Sequence, residues 1–128
     1  MIGGGQAGLA TGYHLAQQGA DFVILNAEAR VGDEWRRRWD SLRLFTPARH
    51  SALPGLPHTD RGKYLGKDQV ADYLERYAAT FELPVRHGVT VTRVAAAAGA
   101  GAEAGAAHNA ADRSATQGFT VTTSAGVL

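Results

Sequence analysis

Glycines at positions 3, 5 and 8 open the chain with a G-x-G-x-x-G fingerprint, Gly3-Gly4-Gly5-Gln6-Ala7-Gly8, set directly before a stretch of helical character. No other feature constrains the fold as much. The first glycine permits a tight strand-to-helix turn, the second lets the backbone approach a pyrophosphate, and the third lets the helix pack closely on the strand. The anion then rests at the helix N-terminus. Gly8 to Gln18 reads as one amphipathic helix with Leu9, Gly12, Tyr13 and Ala16 on a common face, ended by Gly19. Asp21 to Asn26 follows as a mostly apolar strand of the buried type. The order is βαβ. Only Met1 and Ile2 precede the turn, whereas strands usually run about five residues or more, so the first strand reads as clipped.

A dinucleotide fold places Asp or Glu at the end of its second strand, about 20 residues into the unit, where the carboxylate grips ribose hydroxyls. Asn26 stands there. An amide still pairs with a diol but lacks the charge-assisted strength of a carboxylate, so the expectation is weaker binding, not its loss. Glu28, two residues on, is a rival expected to be solvated.

Further along, Trp35 to Asp40 reads as a short helix that includes the basic run Arg36-Arg37-Arg38, by default a solvated face. Leu42 to Thr46 alternates as a short extended segment that Pro47 halts. From His50 to Gly66 the abundance of Pro, Gly and His reads as a surface loop. His50 and His58 lack a carboxylate or second His at ligand spacing, so they read as solvated; the same holds for His14, His87 and His108, and neither a metal site nor a catalytic base is assigned. Asp68 to Glu82 is the clearest later helix, with Val70, Tyr73, Leu74, Tyr77 and Phe81 at helical spacing as core and Pro84 closing it. Val85 to His87 and Thr90 to Val94 read as strands. Residues 95 to 117, biased to Ala and Gly, read as a flexible insertion. Phe119 to Thr122 alternates again and pairs either with 91–94 or, through the turn Ser124-Ala125-Gly126, with Val127-Leu128.

The glycine turn, the strand Phe22 to Asn26, Gly32-Asp33-Glu34-Trp35-Arg36, Leu42 to Pro47, Leu53-Pro54-Gly55-Leu56-Pro57 and Lys67 to Leu74 occur in an order that resembles flavin-containing monooxygenases and related FAD-dependent, NAD(P)-linked oxidoreductases. The likeness is nearest to bacterial members and plant indole-3-pyruvate monooxygenases. It runs from Gly3 to about Val94 and returns weakly at Gly118 to Leu128. It implies an α/β, Rossmann-like FAD/NAD(P)-binding domain with a parallel sheet and a β-hairpin or meander layer, in which the first turn takes FAD. The cofactor contacts it implies are Gly3, Gly5 and Gly8 with Gln6 and Ala7 in the pyrophosphate turn, Asn26 at the ribose, Ala27 after it, and Gly32, Trp35 and Arg36 in the segment near the flavin. There Trp35 either covers the flavin or fills the core, and Arg36 offers a cation to the pyrophosphate or to a 2′-phosphate. Arg43, Leu44 and Thr46 shield the ring, and Val91 passes the adenine by its backbone. Asn26 departs from the family's acid, Gly66 from a Thr that usually precedes Lys67, and Pro47 from the Asn of animal members. Gly66 still caps a helix with Gln69 three residues on, at a cost of a few tenths of a kcal/mol.

What the resemblance implies is the N-terminal FAD-binding portion of a monooxygenase or oxidoreductase that uses NAD(P)H and O₂ on a small organic substrate. The chain carries no second G-x-G-x-x-G for NADPH, so 1–128 reads as a partial FAD-binding domain cut at both ends and inactive alone. A non-catalytic nucleotide-binding remnant is the alternative reading. An NAD-dependent dehydrogenase is a further one, against which the segment Gly32 to Pro47 speaks. The chain has no Cys, which removes a disulfide framework and the redox pair of disulfide-reductase flavoenzymes. Its formal net charge of +1 gives no electrostatic case for nucleic acid. No apolar run reaches the length of a membrane span and no secretory signal opens the chain, so the expected location is the cytoplasm.

Overall fold

The computed structural model describes residues 1–96 and 118–127. It forms two compact units, Met1–Thr90 and Val91–Leu128. In the first unit α1 (Gln6–Gln17) leads to β1 (Ile24–Leu25), and α2 (Asp33–Arg36) and a 3₁₀ turn (Ala48–His50) lead to α3 (Lys67–Thr80) and β2 (Val85–Arg86).

β1 lies at the centre of a parallel arrangement. Ile24 pairs with Val85 and Leu25 with Arg86, and Ile2 makes an isolated parallel bridge to Leu25 on the other side. Gly3 N–H donates to the Leu25 carbonyl at 2.8 Å, and Asn26 N–H donates to that of Arg86 at 2.8 Å. The expected strand from Asp21 to Asn26 is thus realised as a two-residue ladder, because its partners on both sides are equally short.

Packing on this sheet explains the small residues of α1. A Cβ on Gly12 would lie 2.9 Å from Ile24 and 3.3 Å from Phe22. Leu9 and Gly12 are buried, but Ala16, expected on the same face, is exposed. The second helix face matches its spacing more closely: Val70, Ala71, Tyr73, Leu74 and Tyr77 of α3 are buried and join Leu9, Ile24 and Leu83 in the core. Gly66 N–H donates to Gln69 Oε1 at 3.0 Å, so the N-terminus of α3 is capped as the sequence suggested. At its other end Glu82 takes φ 49°, and Leu83 N–H returns to the Ala78 carbonyl.

The segment from His50 to Gly66 is the irregular, largely exposed loop its composition suggested, and it is tied down at several points. Leu44 N–H donates to the Leu65 carbonyl and Ala48 N–H to that of Lys63, which ties it to the extended segment before it. Two tyrosines of α3 hold its middle. Tyr73 Oη accepts from Leu53 N–H at 2.6 Å and donates to the Leu56 carbonyl at 2.7 Å, and Tyr77 Oη donates to that of Pro54 at 2.7 Å. Burial pushes the Tyr77 hydroxyl up to about 12.

The second unit is an antiparallel meander of β3 (Val91–Ala96), β4 (Phe119–Thr123) and β5 (Gly126–Val127) in that order. Both pairings left open for the Phe119 segment occur, since β4 lies between its neighbours. β3 continues through Ala95 and Ala96, two residues into the stretch expected to be an insertion; residues 97–117 lie outside the described residues. Among the described residues no helix is long and apolar enough to cross a membrane.

Candidate functional site

The three fingerprint glycines have three different physical reasons. Gly3 sits at φ +95°, a conformation that side chains rarely adopt. A Cβ on Gly8 would fall 1.9 Å from the Gly3 carbonyl oxygen, so the start of α1 lies directly on the turn. Gly5, the N-cap of α1, has ordinary extended backbone at φ −83° and ψ −174°. A Cβ there would meet nothing within 4 Å. Neither backbone nor packing requires glycine at position 5. What its absence of side chain preserves is open access to the head of α1, where no side chain caps the helix and the first turn carries no acid. The N–H groups of Gln6, Ala7 and Gly8 form that end, with the partial positive charge of a helix start. This cradle fits a pyrophosphate.

Asn26 stands where the parallel strands deliver it. Its backbone pairs with Arg86 and Val89, its side chain is 7% exposed, and a Cβ on Gly4 would touch its amide at 2.9 Å. Its Nδ2 lies 3.3 Å from His87 Nδ1 and 3.5 Å from the Arg30 carbonyl. Turn, strand end and G-x-x-W segment meet in a recess of about 30 Å³ lined by Gly4, Gly5, Asn26, Glu28, Gly32 and Trp35 among others. Ala27 is exposed just past it. Glu28 is half-buried rather than solvated, and its hydrogen bonds to Arg37 hold its carboxyl below the usual range.

Gly32 and Arg36 serve contacts with α3. Gly32 sits at φ +86°, and its Cβ would lie 2.7 Å from the Ala71 carbonyl oxygen. The Arg36 guanidinium bonds Glu75 at 2.6 Å, Asp72 at 2.9 Å and Asp33 at 3.3 Å, and donates to the Val31 carbonyl at 3.0 Å. Burial works against its charge, but Asp72 and Glu75 outweigh that and raise its pKa. Its neighbours Arg37 and Arg38 are exposed, as expected of a solvated face, and they pair with Glu28 and Glu34. The short helix also lies earlier than expected, at Asp33–Arg36 instead of Trp35 to Asp40, because Gly32 turns the chain into it. Arg43 is exposed and donates to the neighbouring Leu42 carbonyl.

Beside the turn, a cavity of about 320 Å³ brings together Gln6, Trp35, Leu44 and Thr46 from the expected set. Arg36, Arg43 and Ala27 do not line it, and Val91 belongs to the second unit, where it pairs with Thr123. Its remaining wall includes Ser51, Leu53, Leu65, Val70, Tyr73, Leu74 and two histidines, His50 and His58. His50 is exposed and bonded to Arg49. His58 corrects the expectation of solvated loop histidines: its ring stacks on Tyr73 at 4.0 Å between centroids, and its Nε2 is shielded from solvent with no hydrogen-bond partner. Burial pushes its pKa down, opposed by a hydrogen bond to the Ser51 backbone, and nearby Arg76 lowers it further. Among the described residues no three His, Cys, Asp or Glu side chains gather as a metal site.

Residues 1–104 match the family described as pyridine nucleotide-disulphide oxidoreductase. An uncharacterized CzcO-like oxidoreductase of Geobacillus kaustophilus is 54% identical over 86 residues, 66% of this chain and 25% of that protein. An indole-3-pyruvate monooxygenase of Oryza sativa subsp. japonica is 36% identical over 104 residues, 80% of this chain and 26% of its own length. Among solved structures, a flavin-containing monooxygenase from Stenotrophomonas maltophilia superposes with a TM-score of 0.73 at 34% identity, over 98% of this chain and 33% of that one. The chain thus spans about a quarter of the curated relatives it matches. Its α/β architecture is that of FAD/NAD(P)-binding flavoprotein domains. On the match across 104 of its residues, together with the glycine turn and its flavoprotein relatives, the chain belongs to the family of flavin-containing monooxygenases and FAD-dependent, NAD(P)-linked oxidoreductases.

Proposed function

We propose that this chain supplies the FAD-binding turn and part of the flavin-side wall of an enzyme that uses NAD(P)H and O₂ to oxidise a small organic substrate. One observation carries the reading: Gly5 has no packing or backbone reason to be glycine, yet it leaves the uncapped head of α1 open beside Asn26. FAD, when bound, supplies the redox chemistry. The residues of this chain bind and orient it. Gly3 and Gly8 set the turn, the N–H groups of Gln6, Ala7 and Gly8 meet the pyrophosphate, and Asn26 meets the ribose with its amide. Trp35, Leu44 and Thr46 close the cavity beside the turn against water. Gly32 and Arg36 fix the segment that carries Trp35, and Arg43 remains a peripheral contact of the same reading. The cytoplasm is the proposed location.

The test is a titration of FAD, NADH and NADPH against the chain by fluorescence and calorimetry, with Asn26→Asp alongside. FAD is expected to bind in preference to the nicotinamide nucleotides. Restoring a carboxylate is expected to tighten FAD by about 3- to 10-fold, since a charged acceptor strengthens a hydrogen bond to a hydroxyl by about 1 kcal/mol. Preference for a nicotinamide nucleotide, or binding of none of the three, would overturn the reading.

A further inference from the structure

An amide has a donating end and an accepting end, and the neighbours of Asn26 fix which of them faces the recess. Nδ2 lies 3.5 Å from the Arg30 carbonyl and 3.3 Å from His87 Nδ1. A carbonyl oxygen only accepts, so the end beside Arg30 is the donor; a flipped amide would set oxygen against oxygen. The other N–H of the same nitrogen goes to His87, which accepts at Nδ1 with its own proton on Nε2. Oδ1 stands on the Gly4 side, where a Cβ on Gly4 would lie 3.1 Å from it, and both residues line the recess of about 30 Å³. Among the described residues no protein group donates to Oδ1, and it is not shielded from solvent as His58 Nε2 is. The backbone brackets His87 where it stands: Asn26 N–H donates to the Arg86 carbonyl, Gly88 N–H to that of Glu28 and Val89 N–H to that of Asn26. Neither His87 nor Arg30 lines the recess, so both act on it only through Asn26.

We propose, on the reading of this recess as the ribose site, that His87 is a positioning residue: by accepting from Nδ2 it holds Oδ1 toward the recess, ready to accept from a ribose hydroxyl. A carboxylate at position 26 would accept at either oxygen whichever way it turned. An amide accepts at one end only, so asparagine does the work of the acid only when something holds that end forward. His87 supplies the hold together with the Arg30 carbonyl, and the pair selects a nucleotide whose ribose hydroxyls are free to donate.

The test titrates the full chain by calorimetry with ADP and with 2′,3′-dideoxy-ADP, which lacks both ribose hydroxyls, and takes the ratio of the affinities. The unaltered chain is expected to favour ADP by about 3- to 10-fold, the worth of one neutral hydrogen bond. His87→Leu removes the acceptor from an exposed position and is expected to bring the ratio below about 2 while leaving the dideoxy affinity unchanged. His87→Gln, which again offers an oxygen to Nδ2, is expected to restore most of the preference. In an Asn26→Asp chain, where either oxygen accepts, His87→Leu is expected to leave the preference in place. Equal affinities on the unaltered chain overturn the proposal, and so does a preference that survives His87→Leu or one lost equally in the Asn26→Asp chain. Should the leucine variant not fold, His87→Lys, which also lacks an acceptor, is read in its place. If ADP binds and any of these overturning results appears, the His87 inference falls while the reading of the glycine turn stands; if neither nucleotide binds, both fall.

Discussion

Two glycine-led segments of the first unit carry the family pattern, Gly3 to Gly8 and Gly32 to Arg36, and the structure uses them in opposite ways. At the first, Gly5 borders open space at an uncapped helix head. At the second, Gly32 is pressed against the Ala71 backbone, and Arg36 is held by carboxylates of α2 and α3. The first segment keeps room for something that is not protein. The second removes room so that Trp35 stands in one place between the recess and the cavity. A glycine in a motif therefore has two meanings, and the space around a built Cβ separates them.

Gly8→Ala tests the packing meaning at its extreme, because the new Cβ would lie 1.9 Å from a backbone oxygen that cannot step aside. It is expected to cost about 3 kcal/mol or more in chemical denaturation and to abolish FAD binding. Gly32→Ala comes next, at about 2 kcal/mol, from its left-handed backbone together with the approach to Ala71. Because it acts on the scaffold, its loss of stability should exceed its loss of FAD affinity. A Gly32→Ala chain of ordinary stability that fails to bind FAD would reverse the comparison and make this glycine a ligand contact.

Arg36→Met is expected to cost about 1 kcal/mol, because the guanidinium is mostly covered while Asp72 and Glu75 are largely exposed and screened. The loss should shrink as salt is raised, which thermal melts at two ionic strengths would show. If instead Arg36→Met leaves stability unchanged and weakens FAD binding, the arginine serves the ligand after all. Its role could not be read from the sequence, since Asp72 and Glu75 lie 36 and 39 residues away and nothing local marks them as partners. The glycine turn, the face of α3, the Leu9 and Gly12 part of the face of α1 and the place of Asn26 were legible because each follows from spacing within one element. The meander was legible as strands, but not as an order, until β4 was seen between its neighbours. His58 was missed for the same reason as the partners of Arg36. The loop around it reads as polar and broken, and Tyr73 and Tyr77, contributed by a later helix, help to pin it inward.

His58 adds a pH dependence on the packed side. Its pKa is lowered in the fold from the ordinary 6.5, chiefly by burial. As pH falls below about 6.5, the unfolded chain takes up the proton first, so stability declines through the window down to the lowered folded value. Denaturant midpoints in that window should fall with pH for the unaltered chain and fall less for His58→Phe. The same decline in both would place the titration elsewhere.

The smallest expected effect on stability bears most directly on the open side. Gly5→Ser puts a hydroxyl where a Cβ meets nothing within 4 Å, at an N-cap whose backbone already suits serine. Serine is the better cap, so stability should stay within about 0.5 kcal/mol of the unaltered chain or rise slightly. Affinity for FAD and ADP should nonetheless drop, because the side chain occupies the approach to the N–H groups of α1. That divergence is what the two-sided reading of glycine demands. A serine that destabilises the chain as Gly8→Ala does would show that position 5 also serves packing, and a serine that leaves both quantities unchanged would remove the pyrophosphate from the head of α1.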